Sequence, residues 1–445
     1  MQAHAAESTV LSTTPGRTSA LSFAPRDTVA GAQLARLAAL EAEVRATNAF
    51  WTPRLRAAGW DSGARLRWDG FHALPFLEKA DLVADQERHP PFGSVATYPA
   101  DRYVAFHQTS GTKGRPLVVL DTQESWSWWL DCWRQVYEAA GVVPGDRVFF
   151  AFGFGPFIGF WSAFQAAQRL GALTIPGGGL DTRQRLQLMK DASATVLLST
   201  VTYALRLVEV LREMGQDPAS LGIRRTIHAG EPGASIPSVR RQVEDAFGAQ
   251  CFDHAGATEA GAWGFSCELR DGLHVNEAEF IAEIVDASGA EVADGETGEL
   301  VLTNLGRGGW PVFRYRTGDL VVRGGCACAC GRTFLKLPGG IVGRADDLMI
   351  LRGVNVYPTS VEAVVREQGF AGEFRMVRTR HAGMEELAVE VEGSEPQARA
   401  LAGALRRRIG VRIETRALPP GSLPRFELKA RRIVDLRDGR READS

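Results

Sequence analysis

Between about residues 125 and 260, short apolar runs alternate with stretches whose apolar positions recur every three or four residues. The run 148–152 predicts a strand. A helix beginning at Pro156 and stopped at Gly171 follows it. The alternation continues through strand 173–176, helix 182–192, strand 195–200, helix 203–214, strand 224–230, helix 237–248 and strand 250–256. Short apolar strands separated by amphipathic helices predict a mainly parallel sheet covered by helices on both faces. Ligands of such sheets sit outside the carboxyl ends of the strands, so chemistry is expected just after 152, 230 and 256.

From about 278 to 325 the helical period stops, and 278–286, 298–304 and 319–323 read as antiparallel strands. After Arg344 a smaller unit appears, with helices at 359–368 and 398–409 and a strand at 411–416. The expected organisation is a large α/β N-terminal domain over 31–345, mainly parallel but with a small antiparallel β part. A smaller α+β C-terminal domain over 346–445 follows, and the polar residues 1–30 predict a disordered tail.

Composition narrows the function classes. Of 445 residues, 45% are hydrophobic and 23% charged, as in soluble globular proteins. Lys plus Arg number 51 against 53 Asp plus Glu, so no global field draws the chain to nucleic acid or anionic lipid. The uncharged stretch 148–164 is short for a bilayer span and is broken by Gly153, Gly155, Pro156 and Gly159. The first residues have neither a basic head nor an apolar core, so a cytoplasmic location is expected. Of six cysteines, Cys326, Cys328 and Cys330 alternate, which suits metal ligation better than a disulfide framework. Cys132 and Cys251 are expected to be buried and inert.

The strongest single motif is TSGTKGRP, residues 109–116. Its hydroxyls and glycines let the backbone wrap phosphate oxygens, and Lys113 and Arg115 add positive charge. It lacks the Gly-Lys-Ser/Thr spacing of the P-loop, and alone it reads equally as a surface turn. HAGEPG (228–233) and DHAGATEAG (253–261) each place glycine and an acid at a strand end. RYRTGDL (314–320) offers Asp319, suited to a ribose diol; GRADDLMILRGVNVYP (343–358) and PRFELKARR (424–432) follow.

In this order the six motifs resemble the adenylate-forming superfamily of acyl-coenzyme A synthetases, and more closely its phenylacetate–coenzyme A ligase branch, from about residue 75 to 436. The resemblance implies an acid–thiol ligase that uses ATP and Mg²⁺ to form an acyl-adenylate and then passes the acyl group to coenzyme A. By resemblance, Thr109, Ser110, Gly111, Thr112 and Gly114 form the phosphate loop. Glu231 and Pro232 flank the adenine, and Asp253 and His254 also line the nucleotide site. Thr258 and Glu259 lie near the phosphates, with Glu259 holding Mg²⁺, as that ion's preference for one or two carboxylates plus phosphates suggests. Without the motif, Glu259 reads as an acid favoured by a helix start. Asp319 and Arg344 bind the ribose.

The same resemblance implies that Lys429 reaches the carboxylate and the α-phosphate. A fixed ammonium there offsets the repulsion of two anions and stabilises transition-state charge; outside the motif, Lys429 reads as a solvated lysine in a basic stretch. Asp346 matches the hinge about which the small domain rotates between half-reactions, although GRADD is also an ordinary interdomain turn. Phe152 and Phe157, in AFGFGPFIGFW (151–161), match the acyl-pocket segment, with His228, Ala255 and Gly256 completing the pocket. Aromatic walls suit an aryl or arylacetic acid, while core packing explains either Phe as well. The family often has tyrosine in this segment where this chain has Phe152 and Phe154, so that polar contact is missing. His228 and His254 read equally as satisfied core histidines.

Cys267 and His274 lie on a predicted hairpin, and Cys-x-Cys-Gly-Arg-Thr at 328–333 matches zinc-bearing relatives. A closed structural zinc site of Cys267, His274, Cys328 and Cys330 is expected, with Cys326 as an extra ligand; a free thiol cluster is the alternative. Two other readings remain at this level: delivery of the acyl group to a carrier-protein thiol or an amine, and a zinc-ribbon binding module that has lost catalysis. The expected partners are a small carboxylic acid, ATP and coenzyme A, with no nucleic acid and no membrane; the pattern is compatible with a homodimer.

Overall fold

The computed structural model describes residues 20–60, 67–109, 116–370, 372–381, 384–426 and 430–437. Helix α1 (Arg26–Thr47) buries Val29, Gln33, Leu37, Leu40 and Val44 at helical spacing. Helices α2 (Trp51–Ala57), α3 (Trp68–His72) and α4 (Lys79–Arg88) follow, and a capping box of Glu78 with Asp81 starts α4. The tail expected over 1–30 is therefore shortened. Residues 26–30 are helical, because the apolar row of α1 and the Arg26–Glu277 pair (2.5 Å) hold them to the body. The rest of that expectation falls mainly on residues 1–19, which lie outside the described residues.

Strands β1 (Tyr103–Gln108) and β2 (Val118–Thr122) form an antiparallel hairpin. Thr122 then caps α5 (Gln123–Ala139), accepting from the Ser125 amide, and α5 buries Trp126, Trp128, Trp129 and Trp133. The predicted alternation follows: β3 (Arg147–Phe150), α6 (Ile158–Leu170), β4 (Leu173–Pro176), α7 (Thr182–Asp191), β5 (Val196–Ser199), α8 (Val201–Glu213), β6 (Arg225–His228), α9 (Pro237–Phe247) and β7 (Gln250–Ala257). Gly171 ends α6 at φ +91°, a left-handed conformation that glycine adopts without steric cost.

Past β7 the chain forms β8 (Gly261–Phe265), β9 (Gly272–Val275), β10 (Phe280–Val285), β11 (Thr297–Asn304), β12 (Tyr315–Val322), β13 (Lys336–Pro338) and β14 (Ile341–Arg344). The large sheet has the order β13–β9–β8–β7–β6–β5–β3–β4. Strands β3 to β7 pair in parallel, while β8, β9 and β13 extend the β7 edge in antiparallel fashion. β10, β11, β12 and β14 make the separate antiparallel sheet. Because β4 and β5 lie on opposite sides of β3, the order switches at β3, and the ligand crevice of such sheets lies beside that point.

The smaller unit comprises β15 (Met349–Leu351), β16 (Val354–Val356), α10 (Pro358–Glu367), β17 (Phe374–His381), β18 (Met384–Glu392), α11 (Glu395–Ile409), β19 (Glu414–Leu418) and β20 (Ile433–Asp435). Its sheet order is β19–β18–β17–β20, and its core, around Val361, Val365, Val389, Leu401 and Leu405, is separate from those of the body. The last predicted strand, 411–416, starts later, at Glu414. Gly410 closes α11 at φ +85°, and Val411 and Ile413 turn into the core before the strand pairs with β18. Among the described residues no helix is long and apolar enough to cross a membrane.

Candidate active site

The carboxyl ends of β6 and β7, the β1–β2 hairpin and the β12–β14 pair converge with the end of the chain. The hairpin carries the predicted phosphate loop. Its base is zipped by Thr109, whose amide donates to the Leu117 carbonyl and whose hydroxyl accepts from the Leu117 amide, both at 3.0 Å. Ser110, Gly111, Thr112 and Gly114 lie outside the described residues, as does Lys429.

At the end of β7, Glu259 is buried, and Lys79 at the start of α4 meets its Oε1 at 2.9 Å. Tyr315 also hydrogen-bonds this carboxylate. The backbone carbonyls of Thr258 and Glu259 face inward and accept from Arg307 at 2.9 and 3.0 Å. Lys79, Tyr315 and Arg307 were not singled out from sequence. Tyr315 lies within RYRTGDL, but nothing in spacing marks Lys79, which is 180 residues away along the chain.

Asp319 and Arg344 are register partners across β12 and β14 and form an ion pair at 2.8 Å. Arg344 also approaches Asp346 at 3.5 Å, so the predicted ribose pair and hinge residue are adjacent. The two carboxylate oxygens of Glu231 are taken by the amides of Thr202 (2.8 Å) and Ala430 (2.9 Å), and burial raises its pKa. Its side chain therefore joins the body to the residue following Lys429, leaving only the backbone at Glu231–Pro232 to face a base.

Asp253 accepts from the Ser235 hydroxyl (2.5 Å) and the His254 amide (3.0 Å), and burial pushes its pKa up to about 7. His254 donates from Nδ1 to the Gly264 carbonyl at 2.7 Å and packs on Trp133 with ring centroids 4.0 Å apart. Burial lowers its pKa to about 4, so the ring is neutral. His228 departs from its expected pocket role. It is fully buried, with its nitrogens on Ser199 (3.3 Å) and Thr226 (2.9 Å), so neither is left for a substrate.

Phe152 also departs from expectation: it is 0% exposed and stacks on Phe160 with centroids 4.0 Å apart, which makes it part of the core. Phe157 is half-buried and meets Phe160 edge-on at 6.4 Å, so of the predicted pair it is the one that keeps exposed surface. Ala255 is buried against Gly264, whereas Gly256 is exposed at the strand end. A cavity of about 240 Å³, lined by Asn355, Ser360, Ala363, Arg408 and Ile409, opens in the smaller unit, away from these strand ends.

Away from the crevice, Cys267, His274, Cys328 and Cys330 bring their ligand atoms within 4.8 Å of one another. His274 Nδ1 lies 3.1 Å from the Phe334 carbonyl, which fixes that nitrogen as the donor and leaves Nε2 facing Cys330 Sγ at 3.6 Å. Three thiols and one oriented imidazole make a cluster able to hold a metal ion. Cys326 is not in the cluster; it lies beside Arg26 and Glu277.

Residues 57–306 match the AMP-binding enzyme family model, and residues 353–437 match the AMP-binding enzyme C-terminal domain. The chain is 34% identical over 442 residues to a phenylacetate–coenzyme A ligase of Thermus thermophilus, covering 93% of this chain and 98% of the relative. A solved 2-hydroxyisobutyryl-CoA ligase in the postadenylation state, in complex with R3-HIB-AMP, superimposes with a TM-score of 0.88 at 29% identity, covering 93% of this chain and 91% of that one. In the thioesterification state, with 2-HIB-AMP and CoA, that ligase gives 0.71 at 30% identity over 94% and 91% of the two chains. At near-equal identity the chain superimposes better on the postadenylation-state structure than on the thioesterification-state one. The chain belongs to the AMP-binding enzymes, in the phenylacetate–coenzyme A ligase branch of ATP-dependent acid–thiol ligases that work through an acyl-adenylate.

Proposed function

We propose that this ligase is a cytoplasmic enzyme that activates an aromatic or arylacetic acid. The observation that supports this most is the half-buried Phe157, edge-on to Phe160, beside the switch point of the sheet. An aryl ring gains edge-to-face contact there. The body is taken as residues 31–345 and the cap as 346–445, turning about Asp346.

In the first half-reaction the acid's carboxylate attacks the α-phosphorus of ATP and pyrophosphate leaves. Lys429 neutralises the two approaching anions; Asp319 and Arg344 hold the ribose; the 109–114 loop holds the phosphates. In the second, the coenzyme A thiol attacks the acyl carbon and AMP leaves. Glu259, with the Thr258 hydroxyl beside it, is an all-oxygen donor pair of the kind Mg²⁺ shares with phosphates. Bound there, the ion supplies charge neutralisation of the leaving pyrophosphate. Lys79 holds the same carboxylate from the side of α4. The Cys267, His274, Cys328 and Cys330 cluster suits structural zinc, since four protein ligands leave no open coordination position.

The half-buried Phe160, held in place by stacking on the core residue Phe152, favours a second reading in which the acid is compact and branched, as in the 2-hydroxyisobutyryl-CoA ligase. The deciding experiment is a panel of phenylacetate, benzoates and short 2-hydroxy acids, scored by pyrophosphate release with and without coenzyme A. Turnover confined to the short acids would overturn the aryl reading. In the same assay Lys429→Ala is expected to abolish adenylate formation yet leave thioester formation from supplied acyl-AMP; equal loss of both would overturn the assigned role.

A further inference from the structure

Arg307 and Asp121 are both 0% exposed and form a two-pronged ion pair, Nε to Oδ1 and Nη2 to Oδ2, each at 2.7 Å. The third nitrogen of the same guanidinium, Nη1, donates to the carbonyls of Thr258 (2.9 Å) and Glu259 (3.0 Å). The face of the group lies over the Trp129 ring, 5.1 Å from its centroid. The two partners come from different parts of the site. Asp121 lies on β2, the strand that leaves the predicted phosphate loop, and is followed by Thr122, the cap of α5. Thr258 and Glu259 follow β7 and carry the acid predicted to meet the metal. Arg307 itself follows β11.

We propose that Arg307, oriented by Asp121, is a positioning residue for the adenylation half-reaction, tying the hairpin of the phosphate loop to the backbone that presents Glu259 to Mg²⁺ and pyrophosphate. This rests on the role given to Glu259 above. A planar guanidinium can bond the carbonyls of one segment and a carboxylate of another in one plane, whereas an ammonium cannot. Turning the two carbonyls inward onto Arg307 leaves the Glu259 carboxylate to emerge on the side of Lys79 and Tyr315. Groups that orient a metal-binding carboxylate set its affinity, while thioester formation from acyl-AMP releases no pyrophosphate and makes no use of that metal.

The test uses the full-length enzyme and two variants: Arg307→Lys, and Asp121→Leu combined with Arg307→Met, an apolar pair that leaves no unpaired buried charge. Mn²⁺ affinity is read by electron paramagnetic resonance in the presence of a non-hydrolysable ATP analogue, beside thioester formation from supplied acyl-AMP. Both variants are expected to bind Mn²⁺ about 10- to 100-fold more weakly, with thioester formation per folded molecule unchanged within about twofold. Unchanged Mn²⁺ affinity in a folded double variant, or equal loss in both readouts, would overturn the proposal. Glu259→Gln in the same titration separates the two layers: if it leaves Mn²⁺ affinity intact, the metal role of Glu259 fails first.

Discussion

The body and the seam between body and cap both use arginine–carboxylate pairs, but in opposite surroundings. In the body, Arg307–Asp121 and Arg314–Glu283 are sealed, with side chains at most 8% exposed. At the seam, Arg425 meets Glu209 at 3.1 Å with the two side chains 24% and 35% exposed. Among the described residues the seam also carries single hydrogen bonds, including Ala430 amide to Glu231 (2.9 Å), Gln242 to the Arg366 carbonyl (3.3 Å), Ser238 to the Ala363 carbonyl (3.2 Å) and the Thr359 hydroxyl to the Val342 carbonyl, and Ala363 packs on the body's core. A sealed pair that loses one partner strands a charge, whereas a wet pair can let go at little cost. Within the cap, Arg425 is also gripped by both oxygens of Glu392 at 2.8 Å, which fixes its direction independently of Glu209. The fixed geometry lies in the body and the releasable contacts lie at the seam, as a two-step reaction in one site requires.

This contrast can be broken in four ways. The largest effect is expected from Arg307→Ala, which strands Asp121 and should lower unfolding free energy by about 3–5 kcal/mol in urea titrations. A loss under about 1 kcal/mol would mean that the body pair is as dispensable as the seam pair. Next, Glu231→Gln puts an amide N–H against one of two backbone donors and should cost the closed arrangement about 1–3 kcal/mol. The measurable result is a slower first half-reaction with the melting temperature of the body unchanged.

The third test is the pH dependence of the body. Asp253 has a folded pKa of about 7, above its ordinary 3.8, so its contribution to stability is full below 3.8 and is lost as pH rises through about 7. His228 and His254 have folded values of about 4, below 6.5, so their contribution is full above 6.5 and lost as pH falls through about 4. Urea midpoints should therefore show Asp253→Asn gaining on the parent between about pH 4 and 7, and His228→Gln gaining on it between about pH 6.5 and 4. Parallel curves would remove the burial argument for these groups. The smallest effect is Arg425→Ala, expected to shift the closed–open balance by about 0.2–1 kcal/mol, at most a few-fold in the ratio of the two half-reaction rates.

The alternating strands and helices around β3 to β7 were legible because a buried parallel sheet writes its period directly into the chain. The antiparallel continuation through β8, β9 and β13 was not, since β13 joins β9 across some sixty residues. The predicted ribose pair was legible from motif resemblance, and its two members fall in register across two strands. The Arg307–Asp121 tie was not, because its partners are 186 positions apart and neither stands in a motif. Phe152 and His228 were assigned to the pocket on position alone. The place of His228 follows from the pleat of β6, and that of Phe152 from its stacking on Phe160 just beyond β3; both are fixed only once the neighbouring elements are known.

The anchor at Ala430 has one more consequence. Glu231 grips a main-chain N–H, which every amino acid but one supplies with the same geometry. Evolution can therefore change the side chain at 430 freely without disturbing the join, while proline is barred from it. Variation at that position in related sequences would therefore be no sign that the contact is lost.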